Sequence, residues 1–301
     1  MDEKPLVWIN DAILPWQKAT VPILSHGFSR GSAVFEVFGT HKNESGTYAF
    51  RMDKHLQRLE QTVRLLNMEL KYSAKEIADA TARIAARNNI GRAIVKIMAF
   101  WGEEAVIDLV LDAKLDIAIF CIPASDGLEL DQSRPASACF SKWRKLDPET
   151  IPVQAKACAN YLNGYLIRKD ANDRGFDLGL TIGTDGFVAE GSIEAVFIAT
   201  NGILKTPPLG RILDSITRDT IINLARDEGI PVQEALLKKE DIYGADEIFT
   251  SHTGTKVLPI ERFEDRNLTA PGPVTERISE MMQDVLSFRN HRYKHWFQHL
   301  F

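Results

Sequence analysis

A chain of 301 residues is long enough for two domains of roughly 150 residues, or for one large barrel, and excludes a small stapled scaffold. Hydrophobic residues make up 45% and charged residues 26%, an ordinary globular balance that excludes a disordered or collagen-like chain and implies a sizeable core. With 36 Lys+Arg against 41 Asp+Glu the formal net charge is -5, so the basic footprint of a nucleic-acid binder is missing and a small-molecule partner is expected.

The first residues, MDEKPLVWIN, carry acids where a secretory signal needs bases ahead of an apolar stretch. In the first third, LVWI and AVFEVFG are rich in β-branched and aromatic residues and read as strands, and TYAFR leads into a strongly periodic segment. Leu56, Leu59, Val63 and Leu66 then recur at spacings of three and four, which predicts a helix with one apolar face. A second helix begins at Ser73, because Ser73 with Glu76 three residues on forms a capping box ahead of Ile77, Ala80 and Ile84. Three apolar runs follow as strand candidates, at 93–101, 105–111 and 115–122. The last, LDIAIFCIP, is the most apolar stretch and is far short of the ~20 residues that span a bilayer, so no membrane partner is expected. Beyond it, a polar stretch rich in Pro, Ser and Gly predicts a linker at 125–136 between an N-terminal domain (1–124) and a C-terminal domain (137–301).

In the second half, Asp185-Gly186 and Asn201-Gly202 each sit between apolar runs and predict two successive hairpins with type I′ turns. A helix over about 216–228, stopped by Gly229 and Pro231, and a last helix over roughly 274–288 complete the pattern. Strands outside strict β-α alternation give a mixed α/β (α+β) architecture, not a barrel. Cys121, Cys139 and Cys158 include no C-x-x-C pair, so neither a disulfide framework nor a structural zinc site is expected, and the chain reads as cytoplasmic. His291, His295 and His299 recur at helical spacing. Their aromatic neighbours suit an amphipathic packing helix better than a metal site, and no metal is expected. His26 reads as structural.

No GxGxxG, GxxxxGK[ST] or HExxH occurs, so the chemistry lies elsewhere. Lys156 stands among Ala155, Ala157, Cys158 and Ala159 just after Ile151-Pro152. An apolar setting desolvates an ammonium and lowers its pKa, which is what a Schiff-base lysine requires. The plainer alternative is a lysine whose stem lies on an apolar surface while its head reaches water.

Nearly the whole chain resembles the class IV pyridoxal-phosphate aminotransferases, most closely the branched-chain amino-acid enzymes. The resemblance is carried by VWINDAILPW, SHGFSRGSAVFEVF, TIPVQAKACANYLNGYL, GFVAEGSIEAVF, ILDSITRDTIINLA and EIFTSHTGTKVLPI, in that order. It implies a two-domain fold of pyridoxal-phosphate type IV, like that of D-amino-acid aminotransferase, and a homodimer. By the resemblance, Lys156 is the lysine that carries the cofactor and moves the proton. Glu190 is the carboxylate that pairs with the pyridine nitrogen, and Tyr161 is the tyrosine on the ring oxygen. Arg58, Ile216, Thr217, Thr253 and Gly254 are the phosphate contacts. The first-turn N–H groups at Ile216 and Thr217 are also an anion site on general grounds.

Around the substrate the pattern departs from the branched-chain enzymes. Arg30 stands where they carry tyrosine, and Val37 where they carry glycine; valine there is more like the D-amino-acid branch. Lys96 replaces an arginine, Ile193 and Ala195 replace glycine and asparagine, and Ser215 replaces a glycine. Phe35, Arg30, Lys96 and Ile193 are the expected substrate residues, with Arg30 and Lys96 supplying cations for carboxylates. Ile193 narrows the space for one substrate arm. The implied reaction is transfer of an amino group from a branched-chain-like or related amino acid to a 2-oxo acid such as 2-oxoglutarate, by a ping-pong cycle. The alternatives are a D-amino-acid or (R)-amine aminotransferase, a lyase of the aminodeoxychorismate type, and a non-catalytic binding protein.

Overall fold

The computed structural model describes residues 5–124, 130 and 134–301; most of the expected linker, 125–129 and 131–133, lies outside them. The chain forms two compact units. The first comprises Met1–Leu128, Ala155–Ala159 and Ser287–Phe301, and the second Glu129–Gln154 and Asn160–Leu286.

The first unit is built on an antiparallel sheet of β1 (Leu6–Ile9), β2 (Ala12–Pro15), β3 (Val34–Asn43), β4 (Gly46–Phe50), β5 (Ala93–Phe100), β6 (Asp116–Pro123) and the C-terminal strand Phe297–His299. Its order is C-terminal strand, β4, β3, β5, β6, β1, β2. The period of two in the strands decides which face is covered. On β5, Val95, Ile97 and Ala99 are buried, while Ile94, Lys96 and Met98 on the other face are half-buried. The buried face packs with the apolar stripes of α2 (Met52–Leu65) and α3 (Ala74–Arg87), after the short turn α1 (His26–Ser29). Leu56, Leu59, Val63, Ile77 and Ile84 fill the layer, each contributing roughly 1.5–3 kcal/mol by leaving water. The Ser73–Glu76 capping box forms as expected.

One sequence expectation needs correction here. The run 105–111 forms no strand: Val106, Ile107, Leu109 and Val110 are 69–84% exposed. Its polar backbone is held by Leu24, whose carbonyl accepts from Ala105 N, and by the side chains of Arg30 and His26, which meet the carbonyls of Val106 and Leu109 at 3.0 and 3.1 Å. The compact units also differ from a linear division into 1–124 and 137–301, in that Ala155–Ala159 and Ser287–Phe301 group with the first unit. β4 pairs with β3 only at residues 40–43 of β3, which leaves the nearer end of that edge open. The segment Ala155–Ala159 completes it: Phe35 N donates to Lys156 O at 3.1 Å, Cys158 N to Ala33 O at 2.7 Å and Ala159 N to Gly31 O at 3.2 Å.

The second unit holds a mixed sheet of β7 (Ala136–Phe140), β8 (Leu178–Leu180), β9 (Ala195–Thr200), β10 (Ile203–Thr206), β11 (Val232–Glu234), β12 (Glu247–Ser251), β13 (Leu258–Phe263) and β14 (Arg266–Asn267). The order is β11, β10, β9, β12, β13, β7, β8, with β14 paired to β13. Its helices are α4 (Tyr161–Asp173), α5 (Ile216–Asp227), α6 (Lys239–Tyr243) and α7 (Pro273–Leu286). Asn201 and Gly202, at φ +50° and +75°, make the expected type I′ turn between β9 and β10. At Asp185-Gly186 only the glycine has positive φ, at +88°. Gly186 N donates to Gly183 O and Gly183 N to Phe187 O, so this connection is a longer turn closed by a left-handed glycine.

Candidate active site

In the first unit, Lys156 is only 9% exposed, and its main-chain N donates to Thr62 Oγ1 of α2 at 3.1 Å. Its Nζ lies 4.6 Å from the centre of the Phe35 ring. Lys96 Nζ lies 5.0 Å from the same ring, so two ammonium groups share one aromatic side chain, with Cys158 close enough to feel both charges. Burial pushes the Cys158 thiol up in spite of those charges. Arg30 is placed otherwise than a cation aimed at substrate: it is exposed and donates to the Val106 carbonyl.

Arg58 is no solvated arginine. It lies on the buried face of α2 and forks onto Glu36, Nε to Oε1 and Nη2 to Oε2, both at 2.7 Å. His55, one turn earlier on α2, meets Glu36 Oε2 through Nδ1 at 2.7 Å. All three are buried, Glu36 completely. Burial alone would raise the Glu36 carboxyl. The Arg58 charge and fork, with His55 assisting, outweigh it and hold the group at about 2. Burial lowers His55 to about 4, against the pull of Glu36, and the cations of Arg58 and Lys156 act in the same direction as burial.

In the second unit, Glu190 is 7% exposed and is fixed from several sides. Its carbonyl accepts from Thr181 N at 2.9 Å and from Thr181 Oγ1 at 2.7 Å. Its Oε2 accepts from Leu213 N at 3.3 Å, and its Oε1 pairs with Lys145 Nζ. At α5, Ser215 caps the helix by accepting from Arg218 N at 3.2 Å. The N–H groups of Ile216 and Thr217, both residues buried, have no acceptor within the helix and lie at its positive end. Arg218, 2% exposed, anchors this end by donating to Thr206 Oγ1 and Pro207 O and by pairing with Glu234. Thr253 and Gly254 occupy a tight turn in which Lys256 Nζ donates to Thr253 O. Gly254 N donates to His252 Nδ1 at 3.1 Å, so His252 holds the amide expected to meet phosphate. Tyr161 opens α4 and is half-buried, while Ile193 is 47% exposed.

A family model for amino-transferase class IV matches residues 33–263. The chain belongs to this family. It is 32% identical over 281 residues to the branched-chain-amino-acid aminotransferase of Salmonella typhimurium, covering 91% of this chain and 90% of that one. Identity to the enzyme of that name from Pseudomonas aeruginosa is 30% over 299 residues, covering 98% and 97%. Among solved structures, the branched-chain aminotransferase of Thermoproteus uzoniensis with norvaline superposes with TM-score 0.93 at 30% identity, covering 99% of this chain and 100% of that one. The holo form of the Thermobaculum terrenum enzyme, crystallised with pyridoxal phosphate, gives 0.89 at 32% over the whole of both chains.

For this class IV aminotransferase, sequence reasoning missed Glu36, His55 and Lys145. Glu36 carried a usable signal: an acid inside AVFEVF has to find a partner, and His55 and Arg58 stand three apart on one helix face. Lys145 carried none. The C-terminal histidines do not share a helix face. His291 and His295 lie in a 3₁₀ segment, where residues three apart and not four are aligned, and His299 lies in a strand paired with β4. Among the described residues no group of three or more His, Cys, Asp or Glu side chains is placed to hold a metal ion. Nor is any described helix long and apolar enough to cross a membrane.

Proposed function

We propose that this class IV aminotransferase binds pyridoxal 5′-phosphate and moves the amino group of a branched-chain or related amino acid to a 2-oxo acid such as 2-oxoglutarate in a ping-pong cycle. The observation that carries the reading is Lys156: a buried lysine on the edge of β3, its ammonium over an aromatic ring and its backbone bonded to Phe35 and Thr62. Such a lysine is held in place and partly desolvated, as a nucleophilic amine must be.

The residues fit the cofactor in each unit separately. In the first, Lys156 supplies the amine and Arg58 a fixed guanidinium for phosphate. In the second, the N–H groups of Ile216 and Thr217 are donors for phosphate oxygens, and Thr253 and Gly254 contribute a hydroxyl and an amide once His252 yields. Glu190 is a buried carboxylate able to hold a proton on a ring nitrogen, and Tyr161 is the hydroxyl for the ring oxygen. When bound, the cofactor supplies an electron sink for the negative charge that develops at the donor's α carbon. Lys156 Nζ would take the proton from the donor's α carbon and deliver it to the carbon on the far side of the amine nitrogen, a 1,3-shift.

Phe35, Val37 and Met98 present an apolar face suited to an aliphatic side chain, and Lys96 beside Phe35 offers a cation to a substrate carboxylate. In the second unit, the 47% exposed Ile193 is a candidate to limit the size of a substrate arm, and in the first the exposed Arg30 is a candidate cation for a carboxylate. The named relatives favour amine transfer over the lyase and D-amino-acid readings. A homodimer is supported by the exposed apolar side chains of Ile23, Phe28, Val106, Ile107, Leu109 and Val110, because clustered apolar surface favours burial against a partner. Three free thiols, two of them buried, accord with a cytoplasmic location.

The test is the visible absorption of the purified protein with a panel of L- and D-amino acids. Cofactor-dependent absorption that branched-chain L-donors discharge, and that Lys156→Ala removes, is the expected result. A protein that takes up no cofactor, or one whose Lys156→Ala variant turns over normally, overturns the reading.

A further inference from the structure

Glu190 does not stand alone in its pocket. Lys145 reaches the same carboxylate, and both side chains are 10% exposed. The lysine is not there by accident of crowding. Its backbone N donates to Ile182 O at 3.1 Å, which ties it to the strand end beside the Thr181 that grips the Glu190 backbone. Other acids lie at hand, since Asp147, Glu149 and Asp185 line with Lys145 and Arg211 a polar cavity of about 380 Å³. Asp147, however, is taken by Thr184 and Asp185 by Arg211. Among the described residues the ion-pair partner of Lys145 is Glu190.

We propose that Lys145 is a positioning residue that shares the Glu190 carboxylate with the cofactor's ring nitrogen, and so sets how firmly that nitrogen keeps its proton. The inference rests on the reading that Glu190 faces the ring nitrogen. One oxygen of Glu190 is committed to the ammonium and the other leans on the Leu213 amide. A protonated ring nitrogen meets a carboxylate whose charge is already partly balanced, with a second positive charge just behind it. Like charges that share one carboxylate repel, and in a partly buried site this shifts a proton equilibrium by about tenfold or more. Charge placed near a cofactor's ring nitrogen is a lever by which a protein tunes its electronics. Lys145 is thus a brake on ring protonation, and its charge, not its stem, is the active feature.

The experiment uses the holoenzyme reconstituted with ¹⁵N-labelled pyridoxal phosphate and reads the ring-nitrogen resonance at fixed neutral pH for the parent and for Lys145→Met, Lys145→Arg and Glu190→Gln. Methionine keeps the stem and removes the charge, and the polar cavity that Lys145 lines leaves room for relaxation. Lys145→Met is expected to raise the ratio of protonated to neutral ring nitrogen by about tenfold, to change kcat with little change in donor KM, and to leave the melting temperature close to that of the parent. Lys145→Arg is expected to restore the parent resonance, and Glu190→Gln to move it toward the neutral form. If Glu190→Gln moves the resonance and Lys145→Met does not, or moves it the opposite way, the role of Lys145 is overturned while Glu190 keeps its place. If neither substitution moves it, the placement of Glu190 at the ring nitrogen fails, and the inference falls with it.

Discussion

Two buried carboxylates, one in each unit, show how differently the same group is used. Glu36 is wholly buried and held by a two-pronged arginine bond and a histidine, three bonds of 2.7 Å each. Glu190 is nearly as buried, yet it is held by one lysine, beside an open polar cavity, and by one longer amide contact at 3.3 Å. A planar fork onto a carboxylate is rigid and directional, whereas an ammonium is a point charge on a flexible stem that tolerates a second cation. Glu36 is therefore an anchor that fixes Arg58 and α2, and Glu190 is a carboxylate poised to be shared.

The largest expected effect follows from removing the anchor. Glu36→Gln leaves Arg58 buried against a neutral partner and is expected to cost about 3–5 kcal/mol of stability, read from urea unfolding. Glu190→Gln is expected to lower stability by less than about 1 kcal/mol while amine transfer falls by two orders of magnitude or more, as for loss of a group acting on developing charge. Equal stability losses in the two variants would erase the distinction between anchor and shared carboxylate.

Acid sharpens the same contrast. His55 sits at about 4 in the folded chain against 6.5 ordinarily, so below pH 6.5 the unfolded chain binds a proton that the folded chain refuses. Stability is lost between pH 6.5 and 4, by on the order of 3 kcal/mol. Glu36, held at about 2 against 4.5, contributes stability that is present above 4.5 and lost as pH falls through 2. Urea midpoints should therefore decline continuously from pH 6.5 downward. His55→Gln should flatten the upper part of that decline and leave the lower part in place. A decline unchanged by His55→Gln would remove the histidine from the account.

Much of this was legible in the sequence, and the exceptions have physical causes. The capping box at Ser73, the stripe of α2 and the Asn201-Gly202 turn are local patterns whose outcome depends on near neighbours, and the structure forms them. The runs 93–101 and 105–111 look alike as strings of apolar residues, yet the first pairs with β3 and β6 and the second projects into solvent. Apolarity reports that a surface is to be buried, not what buries it. The placement of Lys156 with the first unit was hidden for a related reason: it depends on β4 stopping short along β3, a fact of register far away in the chain. The lysine's chemical oddity was visible in its alanine setting, whereas Lys145 sits among ordinary polar residues, and only the fold brings it to Glu190.

The smallest expected effect concerns a cation with no carboxylate of its own. Arg58 is committed to Glu36 and Lys145 to Glu190, but among the described residues no acid pairs with Lys96, whose ammonium rests over Phe35. Contact with a ring face compensates only part of the lost hydration, so a carboxylate brought by substrate is the stronger partner. A dicarboxylate acceptor has one more such group to offer than a branched-chain donor. Lys96→Met should therefore raise the KM for 2-oxoglutarate by about tenfold, the worth of one charge-assisted bond in a half-buried site. The KM for leucine should stay within about twofold. Lys96→Arg should keep 2-oxoglutarate binding, because its fork suits a carboxylate at least as well. Two-substrate steady-state kinetics separates these outcomes. A parallel rise in both constants would mean that Lys96 orders the Phe35 face as a whole, and acceptor recognition would then have to come from another cation.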